Sequence, residues 1–252
     1  LIERLEQLWD CLVDGRQAEG LAENDAWLLG LAQSALGRFQ KSMAEHYAQK
    51  YVPMRGLRSA VLWGGLFHDC AKPLTRTVDP DGRIRFFTHD EIGAQIAARQ
   101  AQAFAMSNQE IERIHALVAG HMRVHLMADD VHGPSARAIY RYFRDTQPAG
   151  IDICLLSLAD TWATYGPALN TERWQAELRC CQMLGAAYWE QREAAVAPPR
   201  LINGNDLIQV LGLRPGPQIG QILEAVREAQ VTGQVSTREG ALDLARQMMN
   251  EG

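Results

Sequence analysis

Apolar residues recur at helical spacing over most of the chain. Leu1, Leu5, Leu8 and Leu12 set the pattern at the start, the signature of an amphipathic helix with one face turned to a core. The same periodicity predicts helices over 1–13, 24–50, 56–70, 89–105, 108–121, 134–145, 149–163 and 171–193. The stretch 75–87, TRTVDPDGRIRFF, departs from it. There Pro80, Asp81 and Gly82 supply turn chemistry between two short β-prone runs, which predicts a small hairpin. Ala195 to Arg200, with Pro198 and Pro199, reads as a linker. Beyond it Asn203 is placed to cap a short helix through Leu211, and RPGP (Arg214 to Pro217) breaks the chain. Pro217 suits the first turn of the next helix, Gly233 ends it, and Ser236 with Glu239 forms a capping-box pattern for the last one. The pattern predicts an all-α fold with one small β-hairpin insertion and a small C-terminal helical unit.

The first helix is already in stride at Leu1. No Ser, Thr, Asp or Asn precedes it as a cap, and there is no initiator Met. The expectation is that the helix, and further protein, continues upstream; the alternative is a frayed, uncapped helix at a genuine terminus. A length of 252 residues suits one large domain, or one domain with an appendage. With 47% hydrophobic residues the chain can build a core without disulfides. No run reaches the roughly 18 apolar residues of a membrane span, and LIERLEQLWD is charged from Glu3 onward, unlike a signal peptide. The five cysteines, Cys11, Cys70, Cys154, Cys180 and Cys181, form no CxxC pair. They read as reduced, mostly buried thiols of a cytoplasmic protein. A net charge of −5 argues against indiscriminate nucleic-acid binding, which relies on Lys and Arg, and leaves room for a local basic face.

The candidate chemistry begins in LWGGLFHDCAKP (Leu62 to Pro73), where His68 and Asp69 stand side by side at the end of an apolar helix. Adjacent helical residues point about 100° apart, yet a metal beyond the helix end is within reach of both. Imidazole nitrogen and carboxylate oxygen together suit borderline and hard divalent ions. An HD dipeptide alone is common by chance; here others follow. Asp160 lies in the apolar helix IDICLLSLADTWA (Ile151 to Ala163), where a carboxylate must be paired, protonated or metal-bound. His89 opens a helix after the hairpin and His121 closes another. The plainer readings are a helix-start residue for His89, a dipole-complementing C-terminal histidine for His121, and an arginine salt bridge for Asp160.

The order HD, H, H, D on successive helices resembles the HD phosphohydrolase superfamily. The closer resemblance is to the HD region of bacterial CCA-adding enzymes and related poly(A) polymerase-like tRNA nucleotidyltransferases. It is carried by FHDCAKP (Phe67 to Pro73), TRTVDPDGRIRFFTHDEIGA (Thr75 to Ala94), HMR (His121 to Arg123), RAIYRYFRD (Arg137 to Asp145) and LADTWAT (Leu158 to Thr164). LINGNDLIQVLGLRPGPQIGQIL (Leu201 to Leu223) resembles the helical segment that follows the HD region in those enzymes. The resemblance implies that His68, Asp69 and Asp160 bind one divalent metal ion (Mn, Mg, Ni, Co, Fe or Zn), with Asp69 bridging to a second held by His89 and His121. Lys72 occupies the place of the lysine in the family's HDxGK pattern, where it faces phosphate; Arg123 is a further candidate for that work. The plainer reading of Lys72 is a solvated helix-end lysine.

Two departures stand out. Cys70 and Ala71 replace the usual small aliphatic residue and Gly after HD; Cys70 reads as a small hydrophobe rather than a nucleophile. The family pattern also opens with a histidine on the first helix, and none occurs here before His46. The surroundings of His46, SMAEHYAQK, read as a surface helix, so the first ligand is expected upstream of Leu1.

These readings give an HD-domain helical bundle over 1–195 and a C-terminal helical unit over 196–252. The expected function is metal-dependent hydrolysis of a nucleotide or RNA phosphate ester, as a phosphatase or 2′,3′-cyclic phosphodiesterase. Asp69, Lys72 and Arg123 are the catalytic candidates, and tRNA is a candidate partner. The alternative is a non-catalytic tRNA- or RNA-binding helical body with a degenerate HD site. Nucleotidyl transfer is not expected, because no Gly-Ser followed by a DxD-like acidic pair is found. Arg137, Arg141 and Arg144 share one helical face, a stripe that suits a phosphate backbone or an ordinary ion-paired surface. The helix start after RPGP is a further candidate phosphate contact.

Overall fold

The computed structural model describes residues 1–16 and 20–250, and the predicted periodicity is realised in it as helices packed on helices. In chain order these begin with α1 (Ile2–Leu12), α2 (Glu23–Leu36) and α3 (Gln40–Tyr47). A short strand pair, β1 (Lys50–Val52) and β2 (Arg55–Gly56), leads into α4 (Leu57–Phe67) and the single turn α5 (Lys72–Thr75). The predicted hairpin is β3 (Thr77–Val78) against β4 (Ile84–Arg85), antiparallel, with Thr77 opposite Arg85. Then come α6 (His89–Ala103), α7 (Asn108–Gly120), α8 (Arg123–Ala128), α9 (Ala136–Thr146), α10 (Gly150–Tyr165) and α11 (Thr171–Trp189). The last three are α12 (Gly204–Leu211), α13 (Pro217–Val231) and α14 (Arg238–Asn250). The fold is all-α with two small antiparallel strand pairs. No helix among the described residues is long and apolar enough to cross a membrane.

The helix α10 runs through the middle of the bundle. All but one of the residues from Gly150 to Ala159 and on to Trp162 are buried, Asp160 being the exception, as expected of a helix that is apolar on every side. Around it pack α1, α4, α7, α8, α9 and α11, while α6 lies against α7. The largest fully buried side chains are Trp162 and Trp174. Each indole N–H finds an acceptor: Trp162 donates to Asp25 Oδ1 at 3.0 Å and Trp174 to the Leu28 carbonyl at 2.9 Å. Burying such rings without that partner would forfeit part of the packing gain. A second hydrophobic cluster joins Leu207, Ile222, Val226, Ala241, Leu242 and Ala245 of the last three helices with Ile202 and Leu213, which flank α12.

Several predicted details come out differently. The segment 24–50 is not one helix: it breaks at a 3-10 turn over Gly37–Phe39, which buries the Phe39 ring, and it ends at Tyr47. Gly37 weakens α geometry at that point. The strand pair β1–β2 adds to the single hairpin expected. The last helix is capped one residue later than the capping-box pattern suggested: Thr237 Oγ1, not Ser236, accepts the Gly240 N–H at 3.1 Å. The Asn203 cap holds, with Asn203 and Asp206 each accepting the other's backbone N–H. His46 does not lie on a surface helix face. It is buried, with Nε2 2.9 Å from Asp152 Oδ1, because α3 turns this side toward α10.

Candidate metal centre

Three histidines are held in the same way. His68 follows the last turn of α4, His89 is the first residue of α6, and His121 follows the last turn of α7. In each, Nδ1 lies against the carbonyl three residues earlier: Gly65 at 2.9 Å, Phe86 at 2.7 Å and Val118 at 2.7 Å. A carbonyl only accepts, so Nδ1 carries the proton in all three rings. In a neutral ring that leaves Nε2 as a bare lone pair. This is how metal-ligating histidines are commonly oriented, with the far nitrogen tied to a carbonyl or carboxylate.

The three Nε2 atoms converge on Asp69. His68 Nε2 lies 3.2 Å from Asp69 Oδ2, and His89 and His121 Nε2 each lie 3.6 Å from Asp69 Oδ1. His89 and His121 face one another at 3.2 Å between Nε2 atoms. Two lone pairs at that distance repel unless a proton or a cation lies between them. His68 Nε2 also reaches Asp160 Oδ1 at 3.3 Å. Even so, His68 Nε2 and Asp69 Oδ1 are buried without a partner in hydrogen-bonding geometry, an expensive arrangement for polar atoms unless something else binds them. Asp69, His89 and His121 each offer a ligand atom within 4.8 Å of the others.

The charges follow from this crowding. Burial works against the His68 imidazolium, but the Asp160 and Asp69 carboxylates outweigh it and its pKa is pushed up to about 9. Burial works equally against ionised Asp69; contacts with His121, His68 and Lys72 prevail and hold its carboxyl far below the usual range. Asp160 is depressed likewise, through His125 and His68. A carboxylate pair drawn this far toward the ionised state, ringed by Nε2 atoms, is suited to a divalent cation of the borderline or hard class.

The backbone before His89 is strained. Thr88 sits at φ +62°, a left-handed conformation that β-branched residues avoid, at about 1–3 kcal/mol. The distortion delivers the Phe86 carbonyl to both the backbone N–H and Nδ1 of His89.

The remaining predicted residues fall into two groups. Lys72 stands at the site: its Nζ donates to Asp69 Oδ2 at 2.7 Å and lies 5.7 Å above the Phe86 ring. Arg123 instead donates to Asp145 at 3.0 Å. Cys70 packs beside Gly93, and burial pushes its thiol pKa up, against a nucleophilic role. The arginine stripe of α9 is not a free phosphate track: Arg137 and Arg141 pair with Glu228, and Arg144 with Glu224 and Asp145. Asp160 meets histidines rather than an arginine. One of them, His125 on α8, is a site residue that the sequence reading missed; its Nε2 lies 3.4 Å from Asp160 Oδ2. The signal available was its spacing, four residues after His121, which puts two histidines near one face of a helical segment.

Comparison with known proteins matches residues 38–164 to the HD domain and residues 198–245 to tRNA nucleotidyltransferase domain 2. The A-adding tRNA nucleotidyltransferase of Deinococcus radiodurans is 36% identical over 180 residues, covering 71% of this chain and 39% of that protein. The CC-adding tRNA nucleotidyltransferase of Thermus thermophilus is 36% identical over 177 residues, 70% of this chain and 37% of the relative. That of Geobacter sulfurreducens is 31% identical over 149 residues, 59% and 31%. The chain thus spans about two fifths or less of the length of these curated relatives.

Proposed function

The chain belongs to the HD domain family, and from that premise we propose that it is a metal-dependent phosphohydrolase acting on a nucleotide or RNA phosphate ester. The observation that carries this reading is the convergence of three Nδ1-tethered histidines on Asp69, with His68 Nε2 and Asp69 Oδ1 left without hydrogen-bond partners. In this reading His68, Asp69 and Asp160 would hold one divalent ion, and His89 and His121, with Asp69, would hold a second. A bound divalent ion supplies Lewis acidity toward a phosphoryl oxygen and toward water. The chain's own residues do the rest. The tethered rings fix the ligand directions before substrate arrives. Lys72 is anchored on Asp69 yet partly exposed, and it presents its ammonium to the phosphate, where it stabilises charge that builds on the phosphoryl oxygens. Arg123 contributes only if it leaves Asp145.

The reading divides the chain into an HD domain over 1–195 and a helical unit over 196–252. Similarity to tRNA nucleotidyltransferases supports tRNA, or the 3′ end of an RNA, as the candidate partner, and a cytoplasmic location goes with that reading. It also favours a second reading: a tRNA-binding helical body in which the HD cluster is structural. Metal analysis of the purified chain, with phosphatase assays on 2′,3′-cyclic and terminal phosphates across several divalent ions, separates the two. Stoichiometric metal, and hydrolysis that Asp69→Ala reduces to background, are the expected results. Equal rates for both proteins would remove the hydrolase reading, and tRNA affinity without metal would support the second.

A further inference from the structure

Behind Asp160 lies a buried polar relay to which neither the HD cluster nor the C-terminal unit assigns a role. Glu177 on α11 is 1% exposed. Its carboxylate accepts from Thr161 Oγ1 at 2.8 Å and Ser157 Oγ at 3.1 Å, and meets His125 Nδ1 at 2.7 Å. The Arg173 guanidinium stands 3.6 Å away. A carboxylate only accepts, so His125 Nδ1 carries a proton, and the ring is locked with Nε2 toward Asp160 Oδ2. His68 lies on the other oxygen of the same carboxylate. His125 therefore differs from the three carbonyl-tethered histidines. Its partner is a fully buried anion on another helix, and its far nitrogen addresses a carboxylate rather than the Asp69 cluster. Burying Glu177 is costly unless each donor around it is in place. The arrangement holds α8, α10 and α11 in register at the level of Asp160.

We propose that Glu177, acting through His125, is a positioning device that fixes the rotamer of Asp160 so that Oδ1 is delivered to the metal beside His68. This rests on the metal-centre reading given above. Asp160 sits on a buried helix with its side chain only 21% exposed, and His125 and His68 are its salt-bridge partners. Without His125, Oδ1 keeps His68 and a long contact from Thr164 Oγ1 at 3.5 Å, but Oδ2 loses its partner and the carboxylate is no longer fixed from both sides.

The test is Mn²⁺ binding by the full chain, followed by electron paramagnetic resonance, with thermal unfolding as a folding control. His125→Asn places an amide near the Nδ1 position and keeps the contact with Glu177, but does not reach Asp160. His125→Gln places its amide near Nε2 and restores that reach. Loss of an outer-shell partner costs about 10–100-fold in metal affinity. That loss is expected for His125→Asn and Glu177→Gln, with His125→Gln recovering most of it. If His125→Asn does not fold, Thr161→Val, which removes one donor from Glu177 at nearly constant shape, carries the test through a smaller loss. Wild-type protein that binds no Mn²⁺ sinks the metal-centre reading and the relay with it. Wild-type binding that Asp69→Ala abolishes but the relay variants leave unchanged overturns the relay alone. So does an equal loss in His125→Asn and His125→Gln, which would mark His125 as a direct ligand.

Discussion

At the scale of single residues, the buried acids divide by what faces them. Asp69 meets the Nε2 atoms of three histidines and a lysine, whereas Asp152, fully buried, meets His46 at 2.9 Å and the guanidinium of Arg113. In the second group the acid is bonded from two sides, by an imidazole and a guanidinium. That explains His46, whose polar neighbours in sequence suggest a surface position. Its partner lies 106 residues away on α10, and no local pattern encodes that pairing. Asp152→Ala strands a buried arginine, and removing one partner of a buried pair costs about 3–5 kcal/mol. Urea unfolding should show a loss of that order, without the loss of metal expected of Asp69→Ala. A cost below about 1 kcal/mol, the range of exposed pairs, would mean that Arg113 reaches water.

At the scale of elements, the site depends on how closely α4 and α7 approach, since one ends at His68 and the other at His121. Gly64 is where they touch. A Cβ there would lie 3.0 Å from Leu117 Cβ, an atom that cannot rotate aside because the α7 backbone holds it. Gly64→Ala gains about 1 kcal/mol in helix propensity, but overpacking a close contact costs about 1–3 kcal/mol, and the helices must part to relieve it. The variant is expected to unfold at lower denaturant and to take up less Mn²⁺; a variant more stable than wild type would show that the contact is slack. Long helices were legible in the sequence because two or more turns of periodicity outvote local exceptions, and α6, α7, α10 and α11 fall close to their predicted limits. The helix α8 was not, since six residues directly after α7 give less than two turns of pattern. With it went His125, while His68, Asp69, His89, His121 and Asp160, which the fold brings together, were singled out through chain order. What chain order could not supply was the tethering of each Nδ1, which depends on the backbone at a helix end.

At the scale of the whole molecule, the C-terminal helices meet the bundle through charge. Arg137, Arg141 and Arg144 of α9 face Glu224 and Glu228 of α13, and Tyr140 donates to Glu224 at 3.3 Å. Three arginines that read as a phosphate track thus serve to seat another helix. Glu228 is the centre of the contact, with three guanidiniums around a mostly buried carboxylate. The hydrogen bond from Arg141 is the main cause that holds its carboxyl below the ordinary value of 4.5, prevailing over burial. A depressed carboxylate stabilises the folded form at pH values above 4.5, and that contribution fades as the pH falls through the lowered value. The stability difference between wild type and Glu228→Gln, read from denaturant unfolding or from protease cleavage in the 197–203 segment, should therefore be present at pH 6. It should shrink as the pH falls below 4.5 and vanish once the pH is under the lowered value, where the folded wild type is itself neutral at this position. Added salt should narrow it at pH 6 as well, because the arginines are about half exposed and screening acts on exposed charge. A difference that stays constant from pH 6 to pH 3 would mean that apolar contact, not these pairs, seats α13 on α9.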